Sequence, residues 1–291
     1  MQEHHTIFSV KEIRNKIKNF GINRIDDKEY KIKIIENWQD NIISGKVIGA
    51  KEEELKPFFL TQFFGDVLGY EYNDANYWNL RFENKTEFDS KKADGALGFF
   101  KIKDGKEEDK DVRVVIEIKD ARTALDKPQN RADFKGSAVE QAFMYAAKSG
   151  EKCKWIIVSN FLEIRLYQAN DMTKYEYFDI LSLNGENEFL RFYYLLSKGQ
   201  LFIEKSVSFI DILLQNRQEK EKTITKEFYE NYQYIREIFL QHLKLHNPQI
   251  NSYDLLQYAQ TIIDRVIFVS VIKDYDLIPT NVKFNSLKIR V

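Results

Sequence analysis

The stretch Val112-Arg113-Val114-Val115-Ile116-Glu117-Ile118-Lys119 constrains this chain more than any other. So many β-branched residues in succession predict a strand. Side chains alternate across a strand, so Glu117 and Lys119 are expected on one face while Ile116 and Ile118 pack on the other. Upstream lies Ala93-Asp94-Gly95-Ala96. If Asp94 stands on a neighbouring strand, two carboxylates and an ammonium meet at the strand ends. Carboxylates about 4 Å apart repel by roughly 1 kcal/mol in water and about 4 at an intermediate dielectric, a penalty that a bound cation removes.

The surrounding segments predict a mixed α/β layer. Leu55, Phe58, Phe59, Phe63 and Val67 recur at helical spacing over Glu52–Leu68, and Gly69 is the expected stop. Three strands follow, at Asn76–Phe82, Ala93–Lys103 and Val112–Lys119, with the polar segment Asp104–Lys110 as a hairpin connection. Ser137 and Glu140 form a capping box ahead of Val139, Ala142, Phe143 and Ala146, and Gly150 closes that helix. Trp155–Ser159 and Glu163–Tyr167 predict two more strands around a turn at Asn160.

Ile7–Ile17 and the region of Trp38 predict one or two short helices, so residues 1–50 are expected to be a helical lead-in to an α/β unit over 51–200. Helical periodicity in Phe189–Leu196, Leu201–Leu214, Phe228–Leu245 and Leu255–Ile272 predicts an α-helical C-terminal unit, placed at 201–291. The charged stretch Arg217–Glu227 reads as a solvated helix end or a hinge between helices.

With 43% hydrophobic and 31% charged residues, the composition is that of a soluble globular protein. No apolar run approaches a transmembrane length and the N-terminus has no basic and apolar leader, so neither membrane nor secretion is expected. The single cysteine, Cys153, excludes an intrachain disulfide and fits a reducing, cytoplasmic compartment. A net charge of −1 gives nucleic-acid binding only local support. Lys119, Arg122, Lys127, Arg131 and Lys135 stand against Asp120, Asp126 and Asp133.

Asp94 and Glu117 suit a magnesium ion, with the Ile118 carbonyl as a further oxygen ligand and waters completing the octahedron. Lys119 then lies beside the attacking water and a scissile phosphate, offsetting the charge that develops there. Against this stands the plainer reading of Glu117 and Lys119 as a surface pair, since an isolated Glu-x-Lys triplet is common. Gln141 and Tyr145, four apart on one helix, share a face from which they reach a nucleic-acid backbone or hold the lysine. Glu52-Glu53-Glu54 is favoured by the dipole of its helix, though one member is also placed to complete the metal site.

Lys92-Ala93-Asp94-Gly95, Val115-Ile116-Glu117-Ile118-Lys119, Glu140-Gln141-Ala142-Phe143-Met144-Tyr145 and Trp155-Ile156-Ile157-Val158-Ser159-Asn160 together resemble the PD-(D/E)xK nuclease superfamily. The likeness is greatest to the N-terminal nuclease region of type IIG restriction-modification enzymes. Thr261–Phe268 with Asp276-Leu277-Ile278-Pro279 resembles the helical connector ahead of the methyltransferase in those enzymes. The resemblance implies a restriction-endonuclease-like mixed sheet as a nuclease domain over 51–200 and a connector over 201–291. It implies Asp94, Glu117 and Lys119 as catalytic residues, with Gln141 and Tyr145 as an accessory pair. The implied activity is magnesium-dependent hydrolysis of double-stranded DNA by a metal-activated water. Methyltransferase and specificity domains are implied as partners, in cis or on separate chains. Alanine, not proline, precedes Asp94. No glycine-rich S-adenosylmethionine loop or Asn-Pro-Pro-Tyr motif occurs, so that cofactor belongs only to a methyltransferase outside these residues.

Two other functions suit the same fold: an inactive DNA-binding or subunit-docking module, and the nuclease part of an ATP-driven translocating complex. A phosphate-binding Gly-x-x-x-x-Gly-Lys loop is missing, and His242 with His246 lacks the glutamate and third ligand of a zinc site.

Overall fold

The structure is a computed structural model that describes residues 6–72, 76–85, 92–103, 106–129 and 134–274. Residues up to Arg217 form one compact unit and residues from Gln218 a second. The first opens with helices α1 (Val10–Phe20), α2 (Lys28–Ile43), α3 (Lys46–Gly49) and α4 (Glu52–Phe59), the last continuing as a π-helical stretch over Leu60–Val67. Gly69, at φ +82°, ends that helix by giving its N–H to the Gly65 carbonyl. Strands β1 (Tyr77–Lys85), β2 (Lys92–Lys103) and β3 (Lys106–Ile118) follow, then α5 (Ala138–Ala147), β4 (Trp155–Ser159), β5 (Glu163–Gln168), β6 (Asp171–Asp179) and α6 (Glu186–Leu196).

The six strands form one sheet in chain order, β1 to β6. Every pairing is antiparallel except β3 with β4, which α5 connects in parallel. Period-two alternation divides the apolar side chains between two cores. Val114, Ile116, Ile118, Trp155 and Ile157 face one core, shared with Phe59, Phe63, Trp38 and Phe192 from the helices. Val115, Ile156 and Val158 face the other, covered by Ala138, Val139, Ala142 and Tyr145 of α5. The expected lead-in is part of the first core over its described residues, since Ile7, Phe8, Ile13, Ile17, Ile35 and Trp38 are buried in it.

Several elements differ from the sequence-based expectation. The hairpin connection expected over Asp104–Lys110 is shorter, because β3 begins at Lys106, paired with Lys103. A sixth strand, β6, was not expected. Its residues are largely polar, and it is held at the sheet edge by the β5 ladder and by Tyr167 against Tyr175, with ring centroids 5.0 Å apart.

Leu201–Ser208 is not helical, and α7 runs over Phe209–His246. The charged stretch Arg217–Glu227 is therefore helix, neither an end nor a hinge. In the second unit α8 (Ser252–Asp274) packs Leu255, Ala259 and Ile263 inward, and Asp264 accepts a 2.8 Å hydrogen bond from the Tyr232 hydroxyl. By length and composition the 22 residues Ser252–Lys273 suffice to cross a bilayer, which corrects the expectation that no run approaches that length. Asp276–Pro279, part of the connector-like segment, lies outside the described residues.

Candidate active site

Asp94, Glu117 and Lys119 come together where β2 and β3 part. Regular pairing of these strands ends at Gly95↔Ile116. Beyond it the Ile118 N–H is donated to Asp94 Oδ2 at 2.8 Å, a carboxylate standing where a ladder carbonyl would otherwise be. Alternation slips at the same point, since Ala93 and Ala96 lie in the same core despite an odd separation. Across β1, Glu83 falls opposite this slip, between the pairs Phe82↔Gly95 and Asn84↔Ala93, and has φ +51°. Positive φ is uncommon for a non-glycine residue. Three neighbouring irregularities thus aim the Asp94 carboxylate across the strand end.

Glu117 and Lys119 share a face, as strand alternation requires, and form an ion pair with each other. Both are buried, at 1% and 2% exposure. Glu117 Oε2 has no hydrogen-bond partner despite being buried. Burial, and then the nearby Asp94 charge, push the Glu117 carboxyl up to about 8, against the opposing pull of Lys119 and Lys56. A buried carboxylate with one orphaned oxygen beside a second carboxylate is a donor set that a hard cation satisfies. Within a strand the N–H and C=O of one residue point to the same side. The Ile118 carbonyl is accordingly directed toward Asp94, while the Ile118 side chain packs in the opposite core.

Helix α4 supplies two further groups. Glu52 Oε2 accepts the Asp120 N–H at 3.0 Å, next to Lys119 in sequence. Lys56 Nζ lies 2.5 Å from Asp94 Oδ1 and 3.1 Å from Glu52 Oε1. Burial disfavours the Lys56 ammonium, but the two carboxylates outweigh it and hold its pKa above the ordinary lysine value. The side chains of Glu52, Lys56 and Asp94 are 16–20% exposed, so this side of the cluster opens to solvent while the Glu117–Lys119 side is closed. As the side chains stand, no three His, Cys, Asp or Glu among the described residues form a ready metal-binding group. The acids hold lysines instead.

The chain matches no family model, no curated protein and no solved structure.

Gln141 and Tyr145 are joined on α5, Gln141 Nε2 donating to the Tyr145 hydroxyl at 3.1 Å. The helix owes its start to Ser137, whose hydroxyl accepts the Glu140 N–H while Glu140 Oε2 accepts the Ser137 N–H. Gln141 Oε1 is a second buried oxygen without a partner. Of the basic residues after the strand, Lys119 is internal and Arg122 is paired with Asp120, leaving Lys127 and Lys135 exposed. Arg131 and Asp133 lie outside the described residues. The segment after Asp120 is held down by Asn160 Nδ2 on the Thr123 carbonyl and by Arg165 on Asp126.

Lys56 is the residue that sequence reasoning missed. Its visible signal was the i,i+4 spacing from Glu52, which reads as an ordinary helix pair until the helix is known to lie against Asp94.

Proposed function

We propose that the unit ending at Arg217 is a PD-(D/E)xK nuclease, the magnesium-dependent DNA endonuclease part of a restriction-modification enzyme similar to the type IIG class, acting in the cytoplasm. One observation carries the reading: Asp94 of β2 converges with Glu117 of β3 and with Lys119 just beyond it where the regular pairing of these two strands ends. The capped helix connecting β3 to β4 and its Gln141–Tyr145 pair support it.

In this reading Asp94, Glu117 and the Ile118 carbonyl hold the divalent ion, with Glu52 next to them. When bound, the ion acidifies water and offsets charge on the phosphoryl oxygens. Lys119 holds Glu117 in place before substrate arrives and then donates to the attacking water or to the phosphate, whose negative charge grows in the transition state. Asp94, anchored through Oδ2 to the Ile118 N–H, keeps a fixed direction for its other oxygen. Gln141 and Tyr145 orient the lysine or a backbone phosphate. Burial of the Glu117–Lys119 side keeps bulk water from competing with the aligned nucleophile.

A second reading rests on the same closure. Glu117 pairs with Lys119 and Asp94 with Lys56, an internally neutralised cluster that also suits an inactive nuclease-fold module that binds DNA or docks a subunit.

Incubating the protein with supercoiled plasmid and magnesium separates the two. We expect nicked or linear product from the natural chain, reduced by at least about 10²–10³-fold in Lys119→Ala and in Asp94→Ala. Thermal melts establish that each variant is folded. Cutting that persists in both folded variants rules out the assigned site, and folded protein that never cuts favours the binding module.

A further inference from the structure

The cluster already contains a cation. Glu52 and Asp94 each commit one oxygen to a main-chain N–H, those of Asp120 and Ile118, on either side of Lys119. Their remaining oxygens, Glu52 Oε1 and Asp94 Oδ1, converge on one point, and the Lys56 ammonium stands at it. Two acids with fixed backs and one shared focus make a seat for positive charge whatever occupies it. The occupant is the tip of a flexible four-carbon stem on the helix that bears Glu52, at 18% side-chain exposure. It can leave by changing rotamer, without moving α4 or the sheet.

We propose that Lys56 is an internal competitor for the divalent ion: its ammonium occupies the seat between Glu52 and Asp94 and must swing out before metal binds. The inference rests on the nuclease reading for the identity of the ion, and it adds a regulatory residue that this reading does not contain. With the seat filled by lysine, the metal-free cluster of Glu52, Lys56, Asp94, Glu117 and Lys119 avoids the repulsion of three unscreened carboxylates. Metal binding then has to displace an ion pair as well as shed water. The apparent affinity is lowered in proportion to the time that Lys56 spends in the seat. The site is thereby kept empty at low metal concentration.

Mn²⁺ binding to the full chain, measured by titration calorimetry and by loss of the free-ion paramagnetic resonance signal, tests this without relying on activity. Lys56→Met, which keeps stem volume and removes the charge, should bind Mn²⁺ about tenfold more tightly than the natural chain. Adding Asp94→Asn should abolish the gain. Lys56→Gln repeats the measurement if the methionine variant does not fold. Unchanged or weaker Mn²⁺ binding in the folded variant overturns the proposal, as does the absence of Mn²⁺ binding in every version. Failure of both variants to fold also overturns it, since a cation that cannot leave is no competitor. Plasmid cutting by the same samples keeps the two readings apart. Tighter Mn²⁺ binding with no cutting upholds the competitor and removes the nuclease, whereas cutting with unaltered Mn²⁺ affinity does the reverse.

Discussion

A single carboxyl sets the pH behaviour expected of the metal-free protein. Burial, then the Asp94 charge, raises Glu117 in the folded chain to about 8 from an ordinary 4.5. The folded state therefore binds this proton more tightly than the unfolded chain, and the resulting stability is complete below the lower value and lost as pH rises through the upper one. In a metal chelator, urea unfolding should show the natural chain losing ground to Glu117→Gln between about pH 5 and 8. The slope is at most about 1.4 kcal/mol per pH unit for one proton. A difference that stays flat across this range contradicts the assignment. At this scale the residue types of the site were legible, because Asp94, Glu117 and Lys119 announce themselves beside an apolar run. Lys56 was not, since its role exists only once α4 lies against β2. The unpaired Glu117 Oε2 and Gln141 Oε1 are equally products of packing that no local pattern encodes.

The elements that frame the site depend on two local devices open to direct test. Ser137→Ala removes the hydroxyl that accepts the Glu140 N–H and should cost about 1 kcal/mol, seen as a lower midpoint in chemical denaturation with an unchanged slope. Gly98 sits at a register shift of the β2–β3 ladder, where an added Cβ would meet the Asp111 carbonyl oxygen at 2.0 Å. Backbone cannot yield as a side-chain tip does, so Gly98→Ala should destabilise the unit by about 2 kcal/mol or more, measured by the same unfolding. The capped helix and the β-branched strands were readable in sequence because each is specified by its own residues. Strand β6 was hidden, since its alternation is carried by polar groups. Glu176, 2% exposed, takes an inward position only through the Phe8 N–H and Arg191. Lys106–Lys110 likewise follows no apolar pattern and is strand through its partners on β2. Arg217–Glu227 is helical without an apolar stripe, built from residues such as Gln, Glu and Lys that favour helix intrinsically.

At the scale of the molecule, the first unit closes on itself around Glu176. Its Oε1 accepts the Phe8 N–H at 2.9 Å and its Oε2 accepts from Arg191 at 2.8 Å. Glu176→Ala leaves the buried Phe8 N–H without its acceptor and takes one partner from Arg191, which keeps Glu188 and the Tyr177 carbonyl, so it should lower the unfolding free energy of the full chain by roughly 1–3 kcal/mol. A loss under about 1 kcal/mol would mean that the chain start is not fastened there. The rest of the sheet asks little of distant sequence, because each strand pairs with its neighbour in chain order. A polypeptide leaving the ribosome can lay such strands down one after another, as each contact needs only residues just synthesised. Phe8 must wait 168 residues for its acceptor. A segment made before the strand that holds it is thus among the last of the unit to find its place, and the finished unit carries there a seal on its completion.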